Sequence, residues 1–386
     1  MKKVTKPRIK PTVAFYRLGE SACFETAGYV TEIKDKSGVV TRVSSMLDGS
    51  RTVDQIADVI RVEHESVDTT LVLSIVEALD EAYLLEDADI AVPDELTDYD
   101  VQRWSRNFDF YGAFTKVDGN KYLAQLAIKN VRVGLLGIGG LGSHILYDLV
   151  ALGVHDIRAV DFDKVDLSNL NRQILYTEKD IGAVKAEVAQ DRIRQFNQHA
   201  KIECINKRIT CSEDISKLIY DRDIVICVAD RPRLDIVNWV NSACIEHAVP
   251  FIIGGLDTKR AVHYSVIPGV TGCVECWKAS VGRTNGLANA IIDEWRRRGE
   301  REIPAPAIVH FVSVITGLIT SEFIKLVTRI AEPSATNRLV AFDFVSLQVT
   351  EHERWTRDPQ CATCGHIARN CHDTEWPAEV AESAIY

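Results

Sequence analysis

The spacing of apolar positions divides the chain into a short first part and a long second part. In residues 1–95, brief alternating segments come first. Thr12–Arg17, Ala22–Phe24 and Tyr29–Ile33 read as strands, separated by Gly19-Glu20 and Ala27-Gly28. Three helical periodicities follow. The first ends at Leu47-Asp48-Gly49-Ser50, where Gly49 suits a left-handed turn. The second starts at Thr52, whose spacing to Gln55 is that of a capping box. The third runs from about Val67 to Tyr83, with Leu71, Leu73, Val76 and Leu79 near helical spacing. This part predicts a strand ribbon followed by a winged-helix-like bundle.

Residues 96–105 continue an acidic, irregular stretch that begins at Pro93, and read as a linker. From 106 onward, strands alternate with helices. Arg132–Gly137, Ile157–Asp161, Lys201–Ile205, Ile224–Val228 and Phe251–Gly254 predict a doubly wound α/β, Rossmann-like, mostly parallel sheet. Ala261–Ile267, Arg338–Asp343 and Leu347–Thr350 look like antiparallel additions to it.

The junction after the first parallel strand carries the densest chemistry. Val131, Val133, Leu135 and Leu136 form the strand, Gly137, Gly139, Gly140 and Gly142 form a turn, and a helical pattern begins at Ser143. Free N–H groups at a helix start, approached closely because glycine lacks a side chain, make a phosphate site. Alone, the turn belongs to a dinucleotide dehydrogenase. Asp161 ends the next strand, placed to take a ribose hydroxyl, with Asp163 close behind. The segment Asp166-Leu-Ser-Asn-Leu-Asn-Arg-Gln173 has no place in a dehydrogenase, however. Asn169, Arg172 and Lys185 beyond the ribose carboxylate suit a triphosphate better than a dinucleotide. Asp230 closes the fourth strand, where a carboxylate can hold Mg²⁺ against phosphates.

In this order the residues resemble the ThiF/MoeB family, relatives of the ubiquitin-activating enzymes, over roughly residues 101–365. The resemblance implies activation of a carboxylate as an acyl adenylate, with release of pyrophosphate. It implies that Gly137, Gly139, Gly140, Gly142, Asp163 and Gln173 line the ATP site and that Asp161 binds ribose. It further implies that Asn169, Arg172 and Lys185 hold phosphates and that Asp230 carries Mg²⁺. Arg103-Trp-Ser-Arg-Asn107 resembles the family element whose second arginine reaches the partner subunit's ATP site, which points to Arg106 and a homodimer; Arg103 is the alternative.

The net charge of −10 argues against nucleic acid or a membrane surface as partner. No apolar run reaches the roughly eighteen residues that span a bilayer, and the basic N-terminus lacks a following apolar segment. The expected location is cytoplasmic. In that setting Cys273-x-x-Cys276 and Cys361-x-x-Cys364, among ten cysteines, read as a structural tetrathiolate zinc site, with His366, Cys371 and His372 as rival ligands. Residues 277–360 hold no cysteine, which disfavours a thioester step there. Residues 283–306 read either as a lid over the substrate or as a solvated arginine-rich face.

Met46–Ile56 and Leu79–Leu85 resemble the PqqD-like peptide-recognition element, which binds the leader of ribosomally made peptides by adding a strand to a sheet edge. Here that edge is Tyr29–Ile33. The two resemblances together are similar to the microcin C and pantocin maturation enzymes. They imply adenylation of a leader-bound precursor peptide, at its C-terminal carboxylate or at a Glu side chain that then cyclises. A sulfur-carrier adenylating enzyme and a non-catalytic leader scaffold are the alternatives.

Overall fold

The computed structural model describes residues 6–64, 67–233, 235–284 and 306–367, together with residues 290, 294 and 297. The chain forms two compact units, Met1–Leu126 and Ala127–Tyr386.

The first unit holds β1 (Pro7–Ile9), β2 (Ala14–Leu18), β3 (Ser21–Thr26), β4 (Tyr29–Lys34), α1 (Val39–Met46), α2 (Val53–Glu63), α3 (Thr69–Glu81) and β5 (Leu85–Asp87). β2, β3 and β4 make an antiparallel sheet with β3 in the middle. Leu18 pairs with Ser21 and Thr26 with Tyr29, so each hairpin has two loop residues, the pairs Gly19-Glu20 and Ala27-Gly28 that punctuate the sequence. Gly19 and Gly28 take positive φ there, which a side chain would oppose. α2 starts at the expected capping box: the Thr52 hydroxyl accepts the Gln55 N–H, and the Gln55 side-chain oxygen accepts the Thr52 N–H. Phe24 and Ala22 pack with Val43, Ile56, Ile60, Val72 and Leu79 into one core. β1 pairs with β5 across the whole unit.

The stretch read as a linker is structured. α4 (Asp98–Arg103), α5 (Ser105–Gly112) and the start of α6 (Tyr122–Asn130) belong to the first unit. Thr97 and a buried Asp100 cap α4 reciprocally, and Trp104 and Phe108 bury themselves with Leu96. Polar ties hold the following loop. The Lys10 ammonium donates to the Tyr83 and Thr115 carbonyls at 2.5 and 2.8 Å, and the Val117 N–H donates to Asp80 at 2.6 Å. Lys121 meets Glu86 at 2.8 Å. The division therefore falls between Leu126 and Ala127, not at 96–105 as the acidic composition suggested.

The second unit holds β6 (Arg132–Leu136), α7 (Gly140–Leu152), β7 (Asp156–Asp161), α8 (Lys185–Phe196), β8 (Lys201–Asn206), α9 (Ser212–Ile219), β9 (Ile224–Cys227), α10 (Ile236–Glu246), β10 (Phe251–Leu256), β11 (Arg260–Val266), α11 (Val274–Thr284), α12 (Val309–Thr328), β12 (Arg338–Asp343) and β13 (Val349–Arg354). They build an eight-stranded sheet in the order β13-β12-β11-β10-β9-β6-β7-β8. β8 through β10 run parallel and β11 to β13 add antiparallel strands, as the pattern predicts. The sequence order reverses between β6 and β9. A crevice opens at the carboxyl ends of strands on either side of such a reversal.

α12 is, by length and composition, long and apolar enough to cross a bilayer, although no unbroken apolar run in it reaches that length. Its polar interruptions, Ser313, Thr316 and Thr320, hid that from a search for an unbroken run. In the fold it covers the sheet. Val312, Ile315, Ile319 and Phe323 are fully buried, and Gly254 on β10 has no room for a side chain beside Ile319. Glu322, also buried, accepts from the Ser265 hydroxyl at 2.6 Å and from the Ser334 and Ala335 N–H groups.

Candidate active site

The crevice beside β6 is a cleft of about 280 Å³, lined on one side by Leu136, Gly137, Asp161, Phe162 and Asp163, and on the other by Ala229, Asp230, Pro232 and Ile236. Its floor begins with the glycine turn. Gly137 has φ +94°, and a side chain there would press on the Ala229 backbone. Gly142 allows no Cβ at all, since one would lie 1.9 Å from the Gly137 carbonyl oxygen. That close passage lets α7 start directly over the turn, with Gly139 as its N-cap and no side-chain cap hydrogen bond. An uncapped helix start of this kind favours an anion.

Asp161 ties the turn to β7. Its carboxylate accepts the Ile138 N–H at 2.7 Å and the Asp163 N–H at 2.8 Å. Burial pushes its carboxyl above the usual range, against the pull of the Lys185 ammonium and the two N–H bonds. Lys185, at the first turn of α8, is 4% exposed, and its Nζ lies 3.0 Å from Asp163. The Tyr176 hydroxyl donates to the Ile138 carbonyl from the buried side, and burial raises its pKa.

The Asp166–Gln173 segment flanks the other side of the turn. Asp166 and Asn169 cap a short 3₁₀ turn reciprocally, so the Asn169 side-chain oxygen accepts the Asp166 N–H. Arg172 lies against Gly140 and has no carboxylate partner among the described residues; it donates to the Ser168 and Asn171 oxygens. Its own carbonyl meets His144 Nε2 at 3.0 Å, which fixes the segment on α7. Gln173 is buried facing Gly139, and its side-chain amide oxygen has no partner among the described residues. The glycine turn is thus bracketed by Asp161, Asp163 and Lys185 on one side and by Arg172 and Gln173 on the other. Asp230 opens onto the same cleft.

Arg106 lies in the first unit, with its side chain 93% exposed and Asp109 at 4.0 Å. Arg103 is committed instead to the faces of Tyr99 and Trp104. The sequence reading missed Phe162, Lys207, Arg208, Ile209 and Pro232, which line the cleft because they follow strand ends; only their position after a strand end marks them.

The two C-x-x-C pairs meet away from this cleft, at the start of α11 and in the loop after β13. Their sulfurs lie within 4.8 Å of one another, with Cys273–Cys361 at 3.7 Å, Cys276–Cys364 at 3.6 Å and Cys273–Cys276 at 4.0 Å. A tetrahedral zinc with bonds of about 2.3 Å has edges of about 3.8 Å, so the four thiols fit that ion. His366 is exposed and not part of the group. Cys371, His372 and residues 285–289 and 298–305 lie outside the described residues.

Comparison with known proteins agrees with this geometry. The ThiF family model matches residues 111–363. The molybdopterin-synthase adenylyltransferase of Escherichia coli (strain K12) is 28% identical over 278 residues, covering 70% of this chain and 99% of that protein. Among solved structures, the microcin C7 biosynthetic enzyme MccB in complex with N-formylated MccA has a TM-score of 0.74 at 23% identity, covering 93% of this chain and 99% of that one. E. coli MccB with ATP has a TM-score of 0.73 at the same identity and coverage. At 23% identity this likeness is one of fold.

Proposed function

This chain belongs to the ThiF family and is an ATP-dependent adenylyltransferase, and on that premise we propose that it activates a carboxylate of a ribosomally made precursor peptide. The carboxylate attacks the α-phosphorus of ATP. A new C–O–P bond forms, the bond from the α-phosphorus to the bridging oxygen breaks, and pyrophosphate leaves. The nucleophile is already ionised, so the protein's work is alignment and neutralisation of charge. In this reading Asp161 takes the ribose. The glycine turn, Gln173, Asn169, Arg172 and Lys185 receive the phosphates, with Asp163 orienting Lys185. Asp230 would hold Mg²⁺, which supplies countercharge to the phosphates. The exposed Arg106 would complete the site of a second copy in a homodimer. The four cysteines would hold a structural zinc.

The peptide half of the proposal rests on the edge of the first unit's sheet. β4 is the last strand in its order, and Tyr29 and Val30 are 74% and 62% exposed. An extended leader added to β4 would gain main-chain hydrogen bonds, with side-chain choice made against α3, where Leu71 and Leu73 are partly exposed. The activated group is then the C-terminal carboxylate or a Glu side chain that cyclises. A second reading, a sulfur-carrier protein as substrate, is favoured by the molybdopterin-synthase adenylyltransferase relative.

ATP–pyrophosphate exchange separates the two. The peptide reading expects exchange with a precursor peptide that drops when the leader is removed. Exchange with a ubiquitin-like sulfur carrier and with no peptide would overturn it.

A further inference from the structure

The start of α7 carries one side chain that the ATP reading leaves unused. His144 stands four residues beyond Gly140, so the two lie one above the other on the same face of the helix. Both meet Arg172. Gly140 leaves room for its side chain: a Cβ there would sit 3.5 Å from Arg172 Nε and 3.6 Å from its Cδ. His144 Nε2 lies 3.0 Å from the Arg172 carbonyl oxygen. A carbonyl oxygen only accepts, so Nε2 carries the proton and donates. The ring is buried, at 6% exposure, and burial lowers its pKa, so the neutral ring makes this bond.

The other hydrogen bonds of Arg172 stay within its own segment. Its N–H donates to the Asn169 carbonyl at 3.0 Å. Its guanidinium donates to the Ser168 carbonyl at 3.1 Å and to the Asn171 side-chain oxygen at 2.8 Å. These bonds would travel with the segment if it shifted as a body. Among the described residues, the His144 bond alone ties Arg172 to α7, the helix whose start is to receive the phosphates. A shift of about 1 Å in a group that aligns a reaction costs up to about a hundredfold.

We infer that His144 is a positioning residue for adenylation: its bond to the Arg172 carbonyl anchors the arginine on α7, so that the guanidinium is held beside Gly140 where the phosphates are to sit. The inference rests on the proposed ATP role of this cleft and of Arg172 within it. His144 touches no substrate in this reading and acts only through Arg172.

The full chain is titrated, with Mg²⁺ present, against a non-hydrolysable ATP analogue. His144→Leu should weaken the analogue about tenfold, the scale of one hydrogen bond to a charged group. Because the tether acts through Arg172, that loss should vanish in an Arg172→Ala background. His144→Gln places an amide nitrogen the same number of bonds from the backbone as Nε2 and should restore most of the affinity. If a thermal melt shows that His144→Leu does not fold, His144→Met removes the donor with a more pliable side chain, and the same cycle is run on it. Unchanged affinity without the donor would overturn the inference. So would a loss that persists undiminished in the Arg172→Ala chain, which marks His144 as a general support of the fold, or a His144→Gln chain as weak as His144→Leu. Two other outcomes strike the reading beneath it. A wild-type chain that binds no analogue would overturn the ATP role of the cleft, and an Arg172→Ala chain as tight as wild type would overturn the phosphate role of Arg172. The inference falls with either.

Discussion

The second unit contains two clusters of polar side chains that are opposites in finish. The four cysteines close on one another, at spacings that leave room for one ion and nothing else. The cleft beside β6 is left incomplete: among the described residues it has a helix start with no side-chain cap, an Arg172 without a carboxylate, a Gln173 side-chain oxygen without a donor and an exposed Asp230. Groups that satisfy each other stabilise a fold. Groups held in place but unsatisfied reserve their interactions for a ligand, at a cost in stability when it is absent.

This contrast can be broken most forcefully at the cysteines. A structural zinc contributes on the order of ten kcal/mol to a small domain. Chelation, or Cys364→Ser, should therefore lower the melting temperature by more than about 10 °C, and the untreated protein should release about one zinc per chain on denaturation. A metal-free chain with an unchanged melt would remove the closed half of the comparison.

Asp230→Ala tests the open half. Loss of one charge-stabilising group in such a site costs about a hundredfold to a thousandfold in rate. Pyrophosphate exchange should fall by that much, while the melt and the affinity for the leader stay as they were. If the melt falls as far as it does on chelation, Asp230 is a structural residue and the two clusters do not differ in kind.

The smallest expected effect is on pH, at Asp161. Burial raises its carboxyl in the folded protein. Nucleotide binding that needs the ionised form is then lost on acidification earlier than an ordinary aspartate would allow. Stability runs the other way. A raised carboxyl favours folding below its unfolded pKa, and that contribution is lost as pH rises through the folded value. The acid loss of affinity for an ATP analogue should therefore occur without a falling melt from this group. Asp161→Asn should bind weakly at every pH, with a flatter profile. An unshifted profile in Asp161→Asn would place the titration elsewhere.

Much of both clusters was legible because each rests on a local pattern. The glycine turn needs residues that tolerate its φ and close approach, so the chain advertises it, and C-x-x-C spacing is equally local. The first unit shows where legibility fails. β1 and β5 are three residues each and pair across nearly eighty positions, with no periodicity to reveal them. α4 was hidden by its acidic composition, although Thr97 and Asp100 already stood at capping-box spacing. Phe162 and Arg208 form no motif; only the pairing of β7 with β8 brings them together.

The cysteine cluster also joins positions 88 residues apart. With a metal bound, the chain between them, including α12 and the strands β12 and β13, becomes a closed ring. Closing a ring of that size removes about 4 kcal/mol of disorder from the unfolded chain. The ring has a topological consequence as well. A polypeptide cut once inside it would keep its two pieces tied through the ion as well as through the packing of α12 and the pairing of β12 with β11.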